Sequence, residues 1–137
     1  MAVSTQSRVR FAVPVELAHG SVIRQRIRGL LEATEFPDEV VDDVVLAVGE
    51  AFANAVVHGS GSSFEQIGVS VWARRRGISI ELRYPGEPFE LAPPREPELD
   101  QLTGRGRFLM HALMDAIDYD FLPGETIVRL EKQISRG

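Results

Sequence analysis

The stretch Glu50-Ala-Phe-Ala-Asn54-Ala-Val-Val-His58-Gly59 decides how the rest of this chain is interpreted. A carboxylate, an amide and an imidazole recur every four residues in an otherwise apolar run. Because four residues on an α-helix advance ~400°, the three side chains form one slowly drifting stripe. The other positions supply an apolar core: Val40, Val41, Val44, Val45, Val48, Phe52, Ala55 and Val56. Such a stripe indicates either a solvated face with caps on neighbouring loops or a binding site.

A second segment favours the binding site. Thr103-Gly104-Arg105-Gly106-Arg107-Phe108-Leu109-Met110 puts two glycines where a loop is predicted to become a helix. Leu109, Leu113, Met114 and Ile117 then recur at helical spacing. Glycines let a backbone approach a ligand, and the unpaired N–H groups of a first helical turn favour a phosphate. Taken alone, the two glycines fit a flexible N-cap equally well.

The remaining elements follow from hydrophobic periodicity. A strand is predicted at 9–13, and Pro14 then opens a helix whose apolar face is Val15, Leu17, Val22, Ile23, Ile27, Leu30 and Leu31. The striped helix is predicted from Pro37 to His58, and strands follow at 65–74 and 77–84, joined by a turn within Arg74-Arg75-Arg76. A Pro-rich loop at 85–103 precedes the third helix, and strands at 118–122 and 125–134 close the chain around Pro123-Gly124. This order predicts an α/β two-layer sandwich with a mostly antiparallel sheet and three helices on one face.

Composition limits the classes of protein. The chain has 137 residues, which suits one domain, predicted at 9–137 after a flexible tail at 1–8. It has no cysteine, so a disulfide framework and a thiolate metal site are excluded. The net charge of −5 argues against direct nucleic-acid binding. No apolar run is long enough for a membrane span or a signal peptide, so we expect a cytoplasmic protein.

The order of these elements and motifs resembles the ATP-binding domain (the Bergerat, or histidine kinase-like ATPase, fold) shared by sensor histidine kinases, DNA gyrase and MutL. Within that group the chain is most similar to the anti-sigma factors that are serine-protein kinases. Their first box, Glu-x-x-x-Asn-Ala-x-x-His-Gly, matches Glu50 to Gly59. Their last box, Gly-x-Gly-x-x-Leu-Met followed by Leu-Met-Asp, matches Gly104 to Asp115. The resemblance covers the chain from Val9 to Lys132.

One box departs from the family pattern. The family has Asp-x-Gly-x-Gly-Phe at the end of a strand, and its aspartate recognises the adenine amino group. Here the segment is Tyr84-Pro85-Gly86-Glu87-Pro88-Phe89. Tyr84 stands in place of the aspartate and Pro88 in place of the second glycine, whereas Gly86 and Phe89 match.

The resemblance implies a role for each motif residue. Asn54 would hold Mg²⁺, and Glu50 would act as the general base toward a substrate hydroxyl. ATP would lie against Tyr84, Gly86, Gly104, Arg105, Gly106 and Thr126, under a lid formed by 85–103. His58 fits either the pocket or a cap on the following loop.

Two classes of function therefore stand open. The first is an anti-sigma factor with ATP-dependent protein-serine kinase activity, whose partners are a sigma factor and an anti-anti-sigma antagonist that it phosphorylates. The second is a protein-binding regulatory module that keeps the fold but has lost or weakened ATP binding, and Tyr84 is the residue that separates the two. Arg24 and Arg28 lie four apart on the first helix, which suggests a basic strip for an acidic partner or simply a solvated face. A homodimer is a further arrangement to test.

Overall fold

Five strands form one antiparallel sheet in the computed structural model, which describes residues 7–32, 34–58, 66–86 and 105–134. The strands are β1 Ser7–Pro14, β2 Gln66–Arg74, β3 Gly77–Pro85, β4 Ala116–Leu122 and β5 Glu125–Gln133. Their order across the sheet is β1-β2-β3-β5-β4, and each neighbouring pair is antiparallel. The predicted α/β fold with an antiparallel sheet is therefore confirmed.

Three helices pack against this sheet: α1 Gly20–Leu31, α2 Asp38–His58 and α3 Arg105–Leu113. The long helix α2 begins where the sequence predicts, because Pro37 accepts the first backbone hydrogen bonds and Asp38 and Glu39 lie in the positive first turn. α1 and α3 each pack along α2. All three helices thus form one layer with α2 in the middle.

Alternation along the strands gives the sheet one face under the helices and one open face. On β3, Ile78, Ile80, Leu82 and Tyr84 are buried and belong to the core cluster shared with the helices. Directly opposite residues of an antiparallel pair share a face, so Val69 of β2 and Val128 of β5 lie beside Leu82 in that core. The open face is polar, as expected for an antiparallel sheet covered on one side.

Paired charges occupy the middle of the open face. The Arg129 guanidinium donates to the Glu81 carboxylate at 2.9 Å, and Arg83 lies 3.3 Å from Glu125 and 3.8 Å from Glu81. The hydrogen bond that Arg129 donates to Glu81 is the largest cause of a raised pKa of the Arg129 guanidinium. These pairs join β3 to β5 across the sheet.

The predicted start of the first helix is wrong. Pro14 is the last residue of β1, opposite Gln66, and a 3-10 turn at Leu17–His19 precedes α1. Leu17 and Val22 are 63% and 42% exposed, so they are not on an apolar packing face. Proline has a φ that also suits the end of an edge strand, which is the position that Pro14 takes here.

The predicted third helix is too long. The observed helix α3 ends at Leu113, so Met114 lies beyond the helix and Ile117 belongs to β4, opposite Leu130. Pairing with β5 replaces the helix at this point, because the Asp115 N–H donates to the Glu131 carbonyl at 2.9 Å. The Asp115 carboxylate also accepts from the Gln133 N–H at 2.7 Å.

Candidate functional site

The polar stripe of α2 borders the part of the helix that is buried in the core. Glu50 and Asn54, one turn apart, are both half-buried, whereas His58 at the end of the helix is exposed. Ala51 follows Glu50 and Ala55 follows Asn54, and both alanines are buried in the core. The helix therefore brings a carboxylate and an amide together at the margin of the core, and the stripe reaches solvent at His58.

A second part of the predicted site lies where β3 and β5 end. Tyr84 is directly opposite Thr126, and both are on the helix-covered face. They are 1% and 0% exposed. The Thr126 hydroxyl oxygen is buried and has no hydrogen-bond partner among the described residues. An unpaired hydroxyl in an apolar environment is costly, so this atom marks a place where a ligand group would gain a hydrogen bond.

Aromatic side chains border this hydroxyl on both sides. Phe121 of β4 is directly opposite Thr126, and its ring stacks on Tyr119 with centroids 6.0 Å apart. Burial, and secondarily the nearby Tyr119, raises the pKa of the Tyr84 phenol. The phenol therefore stays protonated at neutral pH, and Tyr84 does not replace the negative charge of an aspartate. Tyr119 and Phe121 were missed as site residues, although Ile117, Tyr119 and Phe121 alternate in the sequence as strand residues facing one side do.

Gly86 lies at the end of the same strand pair. Its N–H donates to the Gly124 carbonyl at 3.1 Å, which extends the contact between β3 and β5 to the turn. A shallow cavity of about 440 Å³ lies nearby, lined by Gln66, Gly68, Arg83, Tyr84, Pro85, Pro123, Gly124 and Glu125. Gly68, Arg83 and Glu125 alternate with the buried strand residues, so this cavity opens on the face of the sheet opposite Thr126.

Part of the predicted site lies outside the described residues. This applies to Gly104 and to residues 87–103 of the lid predicted at 85–103. The backbone of Arg105 and Gly106 lies in the first turn of α3, in agreement with the predicted change from loop to helix. The roles of Gly104, Arg105 and Gly106 toward a phosphate stay predictions.

The basic strip of α1 is only partly available to a partner. The Arg28 guanidinium lies 2.9 Å from the Asp42 carboxylate of α2. Arg24 lies across Gly49, where an added Cβ would come within 3.2 Å of its Cδ atom. Arg24 makes no ion pair with any described residue. Both arginines therefore pack α1 on α2, and the charge of Arg24 is the one left uncompensated.

No group of three or more His, Asp or Glu side chains able to hold a metal ion occurs among the described residues. The chemistry of Asn54 fits the other way in which Mg²⁺ is commonly held, by one protein oxygen together with substrate phosphates and water. The unpaired Thr126 hydroxyl can form a hydrogen bond with one edge of a nucleotide base. The neutral Tyr84 phenol does not supply the carboxylate expected beside it. None of the described helices is both long and apolar enough to cross a lipid bilayer.

Comparison with known proteins shows the family of this fold. Residues 13–132 match the family profile described as the histidine kinase-like ATPase domain. A relative named serine-protein kinase RsbW from Bacillus cereus (strain AH187) is 24% identical, over 94% of this chain and 86% of its own length. A protein of the same name from Oceanobacillus iheyensis is 29% identical, over 83% of this chain and 79% of its own length.

A solved structure shows the same fold. The crystal structure of the RsbU and RsbW domains of a Mycobacterium tuberculosis protein superposes with a TM-score of 0.72 at 18% sequence identity. The match covers 96% of this chain but 33% of that one, so this chain spans about a third of the length of that structure.

Proposed function

The chain belongs to the family of histidine kinase-like ATPase domains, and from that premise we propose that it is an anti-sigma factor with ATP-dependent protein-serine kinase activity. In this proposal it holds a sigma factor in the cytoplasm and phosphorylates a serine of an anti-anti-sigma antagonist. The similarity to proteins named serine-protein kinase RsbW along nearly the whole chain supports it. The observation that carries the proposal is the pair Glu50 and Asn54, one turn apart and half-buried on α2.

The proposed roles follow from what each side chain can do. The Glu50 carboxylate accepts the proton of the substrate serine as its hydroxyl attacks, which is general base catalysis. The Asn54 side-chain carbonyl would supply a hard oxygen for Mg²⁺. ATP would provide the transferable phosphoryl group, and Mg²⁺ would neutralise its charge. Thr126 would bond one edge of the base from β5. Helix α2 holds Glu50 and Asn54 in a fixed relation, and this rigidity keeps the base aligned with the phosphoryl group.

The proposal is tested by binding and transfer measured on the same variants. Mg²⁺ with ATP is expected to raise the melting temperature of the parent, because a ligand of the native state stabilises it by RT ln(1 + [L]/Kd). Asn54→Ala is expected to lose that shift. Glu50→Gln keeps the shape of the side chain and removes the base, so it should retain the shift while transfer to the antagonist serine falls by roughly 10²–10⁴-fold.

Two results would contradict the kinase. Equal transfer rates for the parent and Glu50→Gln would remove Glu50 from the mechanism. A parent whose melting temperature does not respond to millimolar ATP would leave no nucleotide for the reaction. Recovery of bound sigma factor in both cases would leave the regulatory part of the proposal standing.

The complete burial of Tyr84 favours a second candidate function, a partner-binding module with lost or weak ATP binding. Its side chain is among the largest fully buried ones of the chain and belongs to the core cluster. A ring packed at that position fills space that a base would need, and it offers no carboxylate. The melting experiment separates the two functions, and Tyr84→Asp is the informative variant. If ATP raises the melting temperature of Tyr84→Asp but not that of the parent, the result supports the partner-binding module.

A further inference from the structure

The edge of the sheet at β1 lies among elements that contain arginine but no carboxylate. β1 comes first in the strand order, so only β2 pairs with it, and α1 packs against its helix-covered face. Neither β1, β2 nor α1 contains an Asp or a Glu, although the whole chain has a net charge of −5. A partner that approaches this edge therefore meets positive charge on a protein that is acidic as a whole.

Two arginines at this edge are positioned by aromatic rings. The guanidinium carbon of Arg8 lies 5.3 Å from the centroid of the Trp72 ring on the open face, and that of Arg26 lies 4.4 Å from the centroid of the Phe11 ring. Phe11 faces the helices, because it alternates with Arg10 along β1 and packs against the core cluster. One ring-supported guanidinium thus lies on each face of the sheet at the β1 edge.

These contacts leave the hydrogen-bond donors of the arginines available. A cation–π contact is made with the face of a ring and does not consume the N–H donors of a guanidinium. Arg8, Arg10 and Arg26 are all exposed and make no ion pair with any residue that the structure describes. The first carboxylate in the row across the sheet from Arg10 is that of Glu81, two strands away, and it already pairs with Arg129.

The backbone of β1 offers a second means of recognition. An edge strand has N–H and C=O groups on its outer side that no strand pairs, and an extended segment of a partner can add to them. Alternate side chains of that segment lie on the open face, where β1 presents Arg8 and Arg10. Because both residues are positive, an acidic segment is matched in either direction and at every register that keeps this alternation. On the helix-covered face the segment meets the partly buried Val9 and Phe11.

The same arginines select against other strands. Positive side chains at an edge are a common protection against pairing with other chains, because like charges on neighbouring strands repel each other. A second copy of β1 placed at this edge brings the arginines of both copies onto one face. Carboxylates convert this repulsion into attraction, so the charges select an acidic partner rather than a second β1.

We propose that the β1 edge docks an extended acidic segment of a partner protein. Its Asp or Glu side chains lie on the open face beside Arg8 and Arg10, and its apolar side chains lie on the other face beside Val9 and Phe11. A carboxylate on the helix-covered face at the Phe11 end has Arg26 as its partner. Exposed charges are screened over about 8 Å at physiological ionic strength, so the affinity is expected to fall as salt rises.

Nuclear magnetic resonance of the nitrogen-15-labelled full chain, titrated with two synthetic peptides, tests the proposal. The acidic probe is Thr-Glu-Val-Glu-Val-Glu-Thr and its control is Thr-Gln-Val-Gln-Val-Gln-Thr, both with blocked ends and added to millimolar concentration at low salt without nucleotide. The acidic peptide is expected to shift the amide resonances of β1 and to slow hydrogen exchange of the β1 N–H groups that face away from β2. The glutamine peptide is expected to do neither.

Two variants with the same loss of charge locate the contact. Arg8→Gln/Arg10→Gln removes the positive charge of β1 from the open face and is expected to lower the affinity for the acidic peptide roughly three- to tenfold, the weight of one or two exposed ion pairs. Arg75→Gln/Arg76→Gln removes as much charge in the turn between β2 and β3 and should bind the peptide like the parent. Circular dichroism checks that both variants are folded.

Three results would overturn the proposal. The first is a parent whose β1 resonances do not respond to the acidic peptide or respond equally to the glutamine peptide. The second is equal weakening by the two variants, which would show attraction by net charge alone. The third is tighter binding of single-stranded oligothymidylate at the same β1 amides, which would assign the edge to a nucleic acid. None of these outcomes involves ATP, so they are independent of the proposed kinase activity.

Discussion

Thr126 has a buried hydroxyl that its surroundings do not satisfy. Its neighbours across the sheet, Tyr84 and Phe121, present mostly apolar surface, and its oxygen has no partner among the described residues. A buried hydroxyl left unpaired costs about 1–3 kcal/mol relative to a paired one. The site thus keeps a polar group at some cost in stability, as binding sites commonly do.

Replacing this hydroxyl by a methyl group tests that cost. Thr126→Val keeps the branched shape and removes the unpaired oxygen, so the free energy of unfolding in urea is expected to rise by about 1 kcal/mol. Thr126→Ser, the control, keeps the hydroxyl and loses the methyl group, so it is expected to lower stability. If Thr126→Val unfolds more easily than the parent, the hydroxyl has a partner in solution. If it is more stable but binds ATP more weakly, the hydroxyl serves the nucleotide.

At the scale of elements, α1 packs on α2 through an arginine that lies over a glycine. Alanine is favoured over glycine in a helix by about 1 kcal/mol, yet α2 has Gly49 in its interior. An added Cβ would lie 3.2 Å from Arg24 Cδ, which is closer than most such contacts, and 3.5 Å from Arg24 Nη1, which is an ordinary contact distance. Glycine at this position therefore gives the Arg24 side chain room to cross α2.

A double-mutant cycle measures this contact. Gly49→Ala is expected to raise the free energy of unfolding by about 1 kcal/mol in an Arg24→Ala background, where only helix propensity counts. In the parent background the gain is expected to be smaller, since Arg24 must move. Urea titration of the four proteins gives the coupling as the difference between the two gains. Equal gains would mean that Arg24 does not rest on Gly49 in solution.

Sequence patterns predicted the elements far better than their ends. Alternation located β2 and β3 to within a residue, and Pro37 followed by the acidic pair Asp38 and Glu39 located the start of α2, because local signals decide both. The start of α1 was mispredicted since proline suits both a helix start and the end of an edge strand, and only pairing with Gln66 decides between them. The stripe of Glu50 and Asn54 could be predicted from spacing. The burial of Tyr84 against β5 could not, because strand order across a sheet leaves no local pattern.

At the scale of the whole molecule, one core joins both layers. Its cluster includes Val13 of β1, Ile27 of α1, Phe52 of α2, Met110 of α3 and Leu130 of β5. No described element buries its apolar face separately from this cluster. Helices and sheet are therefore expected to unfold together.

Two probes in different layers test this cooperativity. Trp72, the only tryptophan, lies on the open face of the sheet beside Arg8, so its fluorescence reports the sheet. Far-ultraviolet circular dichroism mainly reports the helices. Urea titrations followed by the two signals are expected to have the same midpoint and the same slope. Separate midpoints would show that the helix layer comes apart from the sheet.

The order of strands also has a consequence for synthesis on the ribosome. β2 with β3 and β4 with β5 are hairpins with short turns, so each can form soon after its second strand emerges. β1 is made first, yet Val9 pairs with Val71, and two helices must be translated before that partner exists. Closing so long a loop costs entropy that only the later contacts offset. The nascent chain therefore carries its first strand without a partner for a third or more of its synthesis, and during that interval Arg8 and Arg10 help to keep this exposed edge from pairing with other chains.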